Sequence, residues 1–211
     1  MLIDQNKLKQ YLDGKVTGVY HVGGHHGQEH NFYESLNVDQ VVYFEPHPDS
    51  FSVLESNLGN KEKVRLEKLA LGESDNITKQ MFCETSNQGM SNSLLKPAYH
   101  NEMYPHIVFD ADSVEVEIMT LDKYVSENPF SARMNYLYMD VQGYELHVLK
   151  GSEKTLETVD YVMSEVNFSE LYEGCSKFDE ISEFLSERNF QLKELESIRG
   201  HWGDALFEKV R

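Results

Sequence analysis

The feature that most constrains this chain is its alternation of short β-branched or aromatic runs with segments of helical composition. Residues 16–22, 41–45, 64–71, 135–141 and 159–166 read as strands, each an apolar run of strand length. Residues 26–36, 50–58, 144–149 and 178–188 read as helices, with Phe51, Leu54 and Leu58 on one face of the second. Parallel strands need crossover connections, and those crossovers are usually helices. The pattern therefore predicts an α/β fold, a largely parallel sheet covered by helices on both faces. Residues 190–195 and 205–210 have no helix between them and predict an antiparallel C-terminal hairpin. The middle, from Gly72 to Asp112, is rich in Asn, Ser, Gly and Pro, although 77–83 and 114–119 alternate as strands do. No repeat or linker interrupts the 211 residues, so one domain over 1–211 is expected, opening on a helical segment within 1–14.

Ligands of such folds gather beyond the carboxyl ends of the strands. The first strand ends in His21-Val-Gly-Gly-His-His-Gly27, a glycine-dense turn where backbone can approach a ligand and offer amide hydrogens. It is not a dinucleotide fingerprint, because the position two after Gly23 is His25 rather than glycine. It is not a phosphate loop either, since no Gly-Lys-Ser or Gly-Lys-Thr follows. Glu45 lies 22 residues beyond Gly23 at the tip of the second strand, where a carboxylate can accept from both hydroxyls of a ribose; otherwise it is a solvated strand end. A glycine turn with an acidic tip and no phosphate pattern points to S-adenosylmethionine.

Charge narrows the partners. With 19 Lys and Arg against 36 Asp and Glu, the net charge is −17, which argues against a nucleic-acid binder, whose affinity comes mainly from basic side chains. No uncharged stretch reaches membrane-spanning length, so no membrane insertion is expected. Cys83 and Cys175 show no metal or redox spacing and read as reduced thiols of a cytoplasmic protein.

Four blocks carry a family resemblance: His21-Val-Gly-Gly-His-His-Gly-Gln-Glu29; Phe44-Glu-Pro-His-Pro48 with Leu54 and Asn57; Met139-Asp-Val-Gln-Gly-Tyr-Glu145 running into Val148-Leu-Lys-Gly151; and Ser164-Glu-Val166. In order and spacing the chain resembles the FkbM-type methyltransferases from about residue 16 onward. The resemblance implies a seven-stranded, Rossmann-like class I methyltransferase moving a methyl group from S-adenosylmethionine to oxygen, commonly a sugar hydroxyl. Cofactor contacts are then expected from His21, Gly23, Gly24, Glu29, Glu45, Pro46, Leu71, Ser91, Ser93 and Asp140. The chain departs from the family at His21, where Asp is usual, and at Gln142, often acidic.

A sugar hydroxyl is protonated at neutral pH, so its methylation calls for a base or a metal. Asp140 and Glu165 end two consecutive strands and place two carboxylates at the cofactor's rim, with Asn167 as a third oxygen donor. That set suits Mg²⁺ or Mn²⁺. The structural alternatives are a helix cap for Asp140 and an ion pair for Glu165. His201, in Arg199-Gly-His-Trp-Gly203, is a candidate base or an ordinary hairpin residue. His25, His26 and His30 do not form a zinc motif. Residues 86–112 are expected to line the pocket as a lid, its Tyr and His rings stacking on a sugar, or to be a surface loop. The alternatives to a sugar O-methyltransferase are transfer to a nitrogen, carboxylate or lipid-linked hydroxyl, and a glycan- or adenosine-binding module without catalysis. Oligomeric state is not readable from the sequence.

Overall fold

The computed structural model describes residues 1–109 and 113–210. Its main sheet has seven strands: β1 (Gly18–Val22), β2 (Gln40–Phe44), β3 (Val64–Glu67), β7 (Tyr136–Met139), β8 (Tyr161–Asn167), β9 (Phe190–Ile198) and β10 (Trp202–Lys209). Their spatial order is β3-β2-β1-β7-β8-β10-β9; all neighbours are parallel except β10, which runs antiparallel to both β8 and β9. Strand order reverses between β1 and β7, which opens a crevice at their carboxyl ends.

Alternation along each strand explains the two helix layers. Val19, Val41, Tyr43, Tyr136 and Tyr138 point to one face and pack on α1 (Gln5–Leu12), α2 (His30–Ser35) and α3 (Pro48–Leu58). Their neighbours Tyr20, Val42, Phe44, Leu137 and Met139 point to the other, under α5 (Leu121–Glu127), α6 (Glu145–Lys150) and α7 (Phe178–Ser186). Both faces are buried, which is why these strands read as continuous apolar runs.

Two elements differ from the sequence reading. The single strand expected over 64–71 is divided: β3 pairs with β2, whereas β4 (Ala70–Leu71) pairs with β6 (Val114–Met119) in a second sheet of order β4-β6-β5, with β5 (Ile77–Met81) antiparallel to β6. The chain changes sheets across Lys68 and Leu69. The helix expected from residue 26 starts only at His30, because Gly27 takes a φ of +79° and donates to the Gly24 carbonyl at 2.8 Å, closing a turn first. Among the described residues, no helix is long and apolar enough to cross a membrane.

The segment expected to form a lid is held as far as Phe109 by bridges from Phe82 to Ser93, Glu84 to Phe109 and Pro97 to Tyr172, with one short helix, α4 (His100–Met103). The Glu84 carboxylate gathers the amides of Ser86, Asn87 and Gly89. Residues 110–112 lie outside the described residues.

Candidate active site

A cavity of about 650 Å³ opens at the crevice between β1 and β7, within the size range of sites that enclose small ligands. Of the residues singled out from sequence, His21, Gly23, Glu29, Glu45, Pro46 and Leu71 line it, as do Ser91, Asp140 and Glu165. Gly24, Ser93, Asn167 and His201 are not on its wall.

The glycine turn is shaped by packing. Gly23 has φ +83°, and a Cβ built there would lie 1.9 Å from the Asp140 carbonyl oxygen, so only glycine lets β1 and β7 approach at this point. The amides expected to be free for a ligand are already used. Those of Gly23 and Gly24 donate to the Phe44 carbonyl at 3.0 Å, and that of His25 donates to the Glu45 carboxylate at 2.7 Å. The turn therefore offers room rather than donors. The His25 ring stacks on His26 and bridges Gln28 to the Gln88 carbonyl, so its nitrogens tie the turn to the segment after β5.

Glu45 is 6% exposed and accepts from His25 on one oxygen and from His47, at 2.8 Å, on the other. Burial raises its pKa, opposed by those two amides. A carboxylate has about four acceptor positions, so two remain for a diol in the cavity. His21 is enclosed by Tyr33, Tyr43 and Tyr138, with Nδ1 2.9 Å from the Tyr33 hydroxyl. Burial pushes its pKa down to about 3, so it is a neutral ring and carries no charge toward a ligand.

Across the crevice, Asp140 follows β7 and Glu165 stands near the end of β8. Burial raises the pKa of both, and Glu165, which also faces Asp140, Glu145 and Asp204, lies well above the usual carboxylate range. The side-chain amide of Gln142 reaches both, with Nε2 donating to Asp140 Oδ1 at 2.9 Å and to the two Glu165 oxygens at 3.1 and 3.0 Å. Asp204, register partner of Glu165 on β10, adds a third buried carboxylate to the wall. The sequence reading missed it; its one signal was an acidic residue directly ahead of the apolar run from Ala205.

The divalent-ion set Asp140, Glu165 and Asn167 is not assembled. Asn167 is fully buried away from the cavity, and neither of its side-chain polar atoms has a hydrogen-bond partner among the described residues. Among the described residues, no group of three or more His, Cys, Asp or Glu side chains is placed to hold a metal. An N–H donor, not an oxygen, lies between the carboxylates, and it presents positive charge where a cation would have to sit. The residues present do not fit Mg²⁺ or Mn²⁺.

Two further residues expected at the site lie off the cavity wall. Ser93 spends its hydroxyl on the Gln142 carbonyl at 2.7 Å and braces that loop from behind. His201, on the hairpin turn, has Nδ1 3.0 Å from the Ser169 hydroxyl; the next residue, Trp202, faces the cavity instead. Trp202 donates its indole N–H to the Tyr104 hydroxyl at 2.9 Å, and Tyr104, His100 and His106 add further rings to the cavity lining.

Comparison with known proteins agrees with this geometry. The chain matches the methyltransferase FkbM domain over residues 21–192. The 2-O-methyltransferase NoeI of Sinorhizobium fredii is 29% identical over 178 residues, 82% of this chain and 70% of the relative. Among solved structures, M. capricolum TrmK bound to S-adenosylhomocysteine superposes with a TM-score of 0.55 at 6% identity, covering 99% of this chain and 69% of its own. An rRNA methylase from Streptococcus thermophilus gives a TM-score of 0.53 at 13% identity, covering 100% and 99%. At these identities the structures share the fold alone, and a fold shared with an rRNA methylase does not support the exclusion of nucleic acid drawn from net charge. The family match spans most of the chain, and the crevice it covers has the size and the acidic rim for the donor: this protein belongs to the FkbM methyltransferase family and is an S-adenosylmethionine-dependent methyltransferase.

Proposed function

We infer that this protein is a sugar O-methyltransferase. The observation that carries the reading is one cavity lined both by carboxylates at strand ends, Glu45, Asp140 and Glu165, and by the rings of Trp202, Tyr104 and His106. The relative NoeI, a 2-O-methyltransferase, supports oxygen as the acceptor.

S-adenosylmethionine supplies the methyl group and a sulfonium leaving group. Glu45 holds the ribose diol with its two remaining acceptor positions; Leu71 and Pro46 cover the apolar faces of the nucleoside, and Gly23 gives the amino-acid tail room beside Glu29. Trp202, fixed by Tyr104, presents a flat apolar face on which the C–H side of a sugar ring can stack, leaving its hydroxyls toward the carboxylates. Holding acceptor and donor in line is itself worth on the order of 7 kcal/mol or more. Burial raises both carboxyls, and Glu165 is raised further because it also faces Asp140, Glu145 and Asp204; Asp140 is assigned as the member that takes the hydroxyl proton.

The test is incubation of the purified chain with methyl-labelled S-adenosylmethionine and a panel of saccharides, with RNA and lipid-linked acceptors alongside. Label in a saccharide, reduced about 10²- to 10⁴-fold by Asp140→Asn, is the expected result for loss of a general base. Transfer to RNA or lipid alone overturns the acceptor assignment, and no transfer to any acceptor overturns the activity.

A further inference from the structure

We propose that the side-chain amide of Gln142 takes the place between Asp140 and Glu165 that a divalent cation would need, so that these carboxylates work as an amide-bridged, metal-independent pair with Gln142 as their positioning residue. The inference rests on the reading of that pair as the proton-handling centre and extends it.

Three observations support it. First, the amide is saturated toward the carboxylates: one N–H meets Asp140 Oδ1 at 2.9 Å, and the other is shared between the Glu165 oxygens at 3.1 and 3.0 Å. Oxygens drawn around an ammonia-like hydrogen-bond donor stand about 3 Å from its centre, whereas Mg²⁺ draws them to roughly 2.1 Å. Second, the other end of the amide is anchored. Its Oε1 lies 2.9 Å from the Tyr172 hydroxyl, whose one proton is shared between that oxygen and the Ser91 carbonyl at 3.0 Å, and Tyr172 is fully buried. Third, the backbone is held in a costly shape to keep the side chain there. Gln142 has φ +53°, a left-handed conformation unfavourable for a non-glycine residue, and its carbonyl accepts from the Ser93 hydroxyl at 2.7 Å. Gly143 follows with φ +97°, where a Cβ would come within 2.6 Å of the Cys175 Cβ, so the turn cannot relax toward that side.

Turned the other way round, the amide would aim its oxygen at the two carboxyls, an arrangement that needs either a cation between them or the Glu165 proton directed onto that oxygen. The two orientations thus make opposite predictions about metal binding, independent of any acceptor. Mn²⁺ titration of the full chain followed by electron paramagnetic resonance reads them apart. For the wild type we expect no binding tighter than about millimolar and the same turnover in EDTA. Gln142→Glu, which replaces the donor by a third carboxylate, should gain Mn²⁺ affinity of at least about tenfold. Gln142→Met, similar in volume and without donors, should lower kcat at least about tenfold and move the acid limb of the pH–rate profile, with S-adenosylhomocysteine affinity kept. Wild-type Mn²⁺ binding lost in Asp140→Asn, or full turnover in a folded Gln142→Met, would overturn the proposal. Calorimetry with S-adenosylhomocysteine separates the two readings: absent binding in the wild type would overturn the donor site itself, whatever Mn²⁺ does.

Discussion

The two sides of the cavity are built from different kinds of structure. On the nucleoside side, Gly23, Glu45 and Asp140 each stand at or just past the end of a parallel strand, and neighbouring strands fix their separation through the ladder. On the aromatic side, Tyr104 and His106 come from the segment after β5, and one side-chain hydrogen bond ties Tyr104 to Trp202, the first residue of β10. A site anchored in strand register has little freedom to change, whereas one assembled from loops can alter its shape at small cost to the fold. Under the proposed function, donor capture falls on the first and acceptor choice on the second.

That contrast is sharpest at Gly23. Alanine there places a methyl group 1.9 Å from the Asp140 carbonyl and demands a left-handed φ, so Gly23→Ala should weaken S-adenosylhomocysteine binding by more than about a hundredfold and cost several kcal/mol in thermal unfolding. Near-normal binding would show that the turn is not a rigid part of the seat. Next in size, Glu45→Gln should reduce affinity for the demethylated cofactor about tenfold, the loss of a charge-assisted hydrogen bond, and leave kcat at saturating donor nearly intact. Trp202→Ala makes the complementary change: KM for the sugar should rise about tenfold with donor affinity unmoved. If either variant moves both constants, the two sides are not separable.

The smallest effect on turnover is expected at Glu145, which is wholly buried behind the pair. One of its oxygens accepts from the Val141 and Gly143 amides at 3.1 Å, and the other has no hydrogen-bond partner among the described residues. Burial pushes its pKa up to about 7 from an ordinary 4.5. A carboxyl raised on folding contributes fully below pH 4.5, and that stability is lost as pH rises through 7, by an amount of order 1–3 kcal/mol. Glu145→Gln has no such ionisation, so the melting temperature of the variant relative to wild type should climb between pH 4.5 and 7 and then level off. A constant difference across that window would count against the shift.

The same contrast explains what could be read without coordinates. Strand register follows from alternation of side chains, so the sheet, its terminal hairpin and the places of Glu45, Asp140 and Glu165 were recoverable from local pattern. Whether Gly24 and Ser93 face a cavity or pack behind it is decided by contacts with Tyr43, Leu54 and Gln142, far away in sequence, and no local pattern encodes that. His201 and Trp202 show the same limit. Adjacent residues on a hairpin point to opposite sides, and which side is inward depends on the partner strand. The fate of the turn amides was hidden too, because the carbonyl that takes two of them belongs to Phe44, on the neighbouring strand.

Only Lys68 and Leu69 carry the backbone from the large sheet into the small one. Everything strung between that crossing and α5 can lengthen, shorten or be swapped among kin without unpairing one rung of the seven-stranded ladder. Tyr104 and His106 can therefore shift without disturbing the ladder that holds Glu45 and Asp140, whereas Trp202 is bound to that ladder.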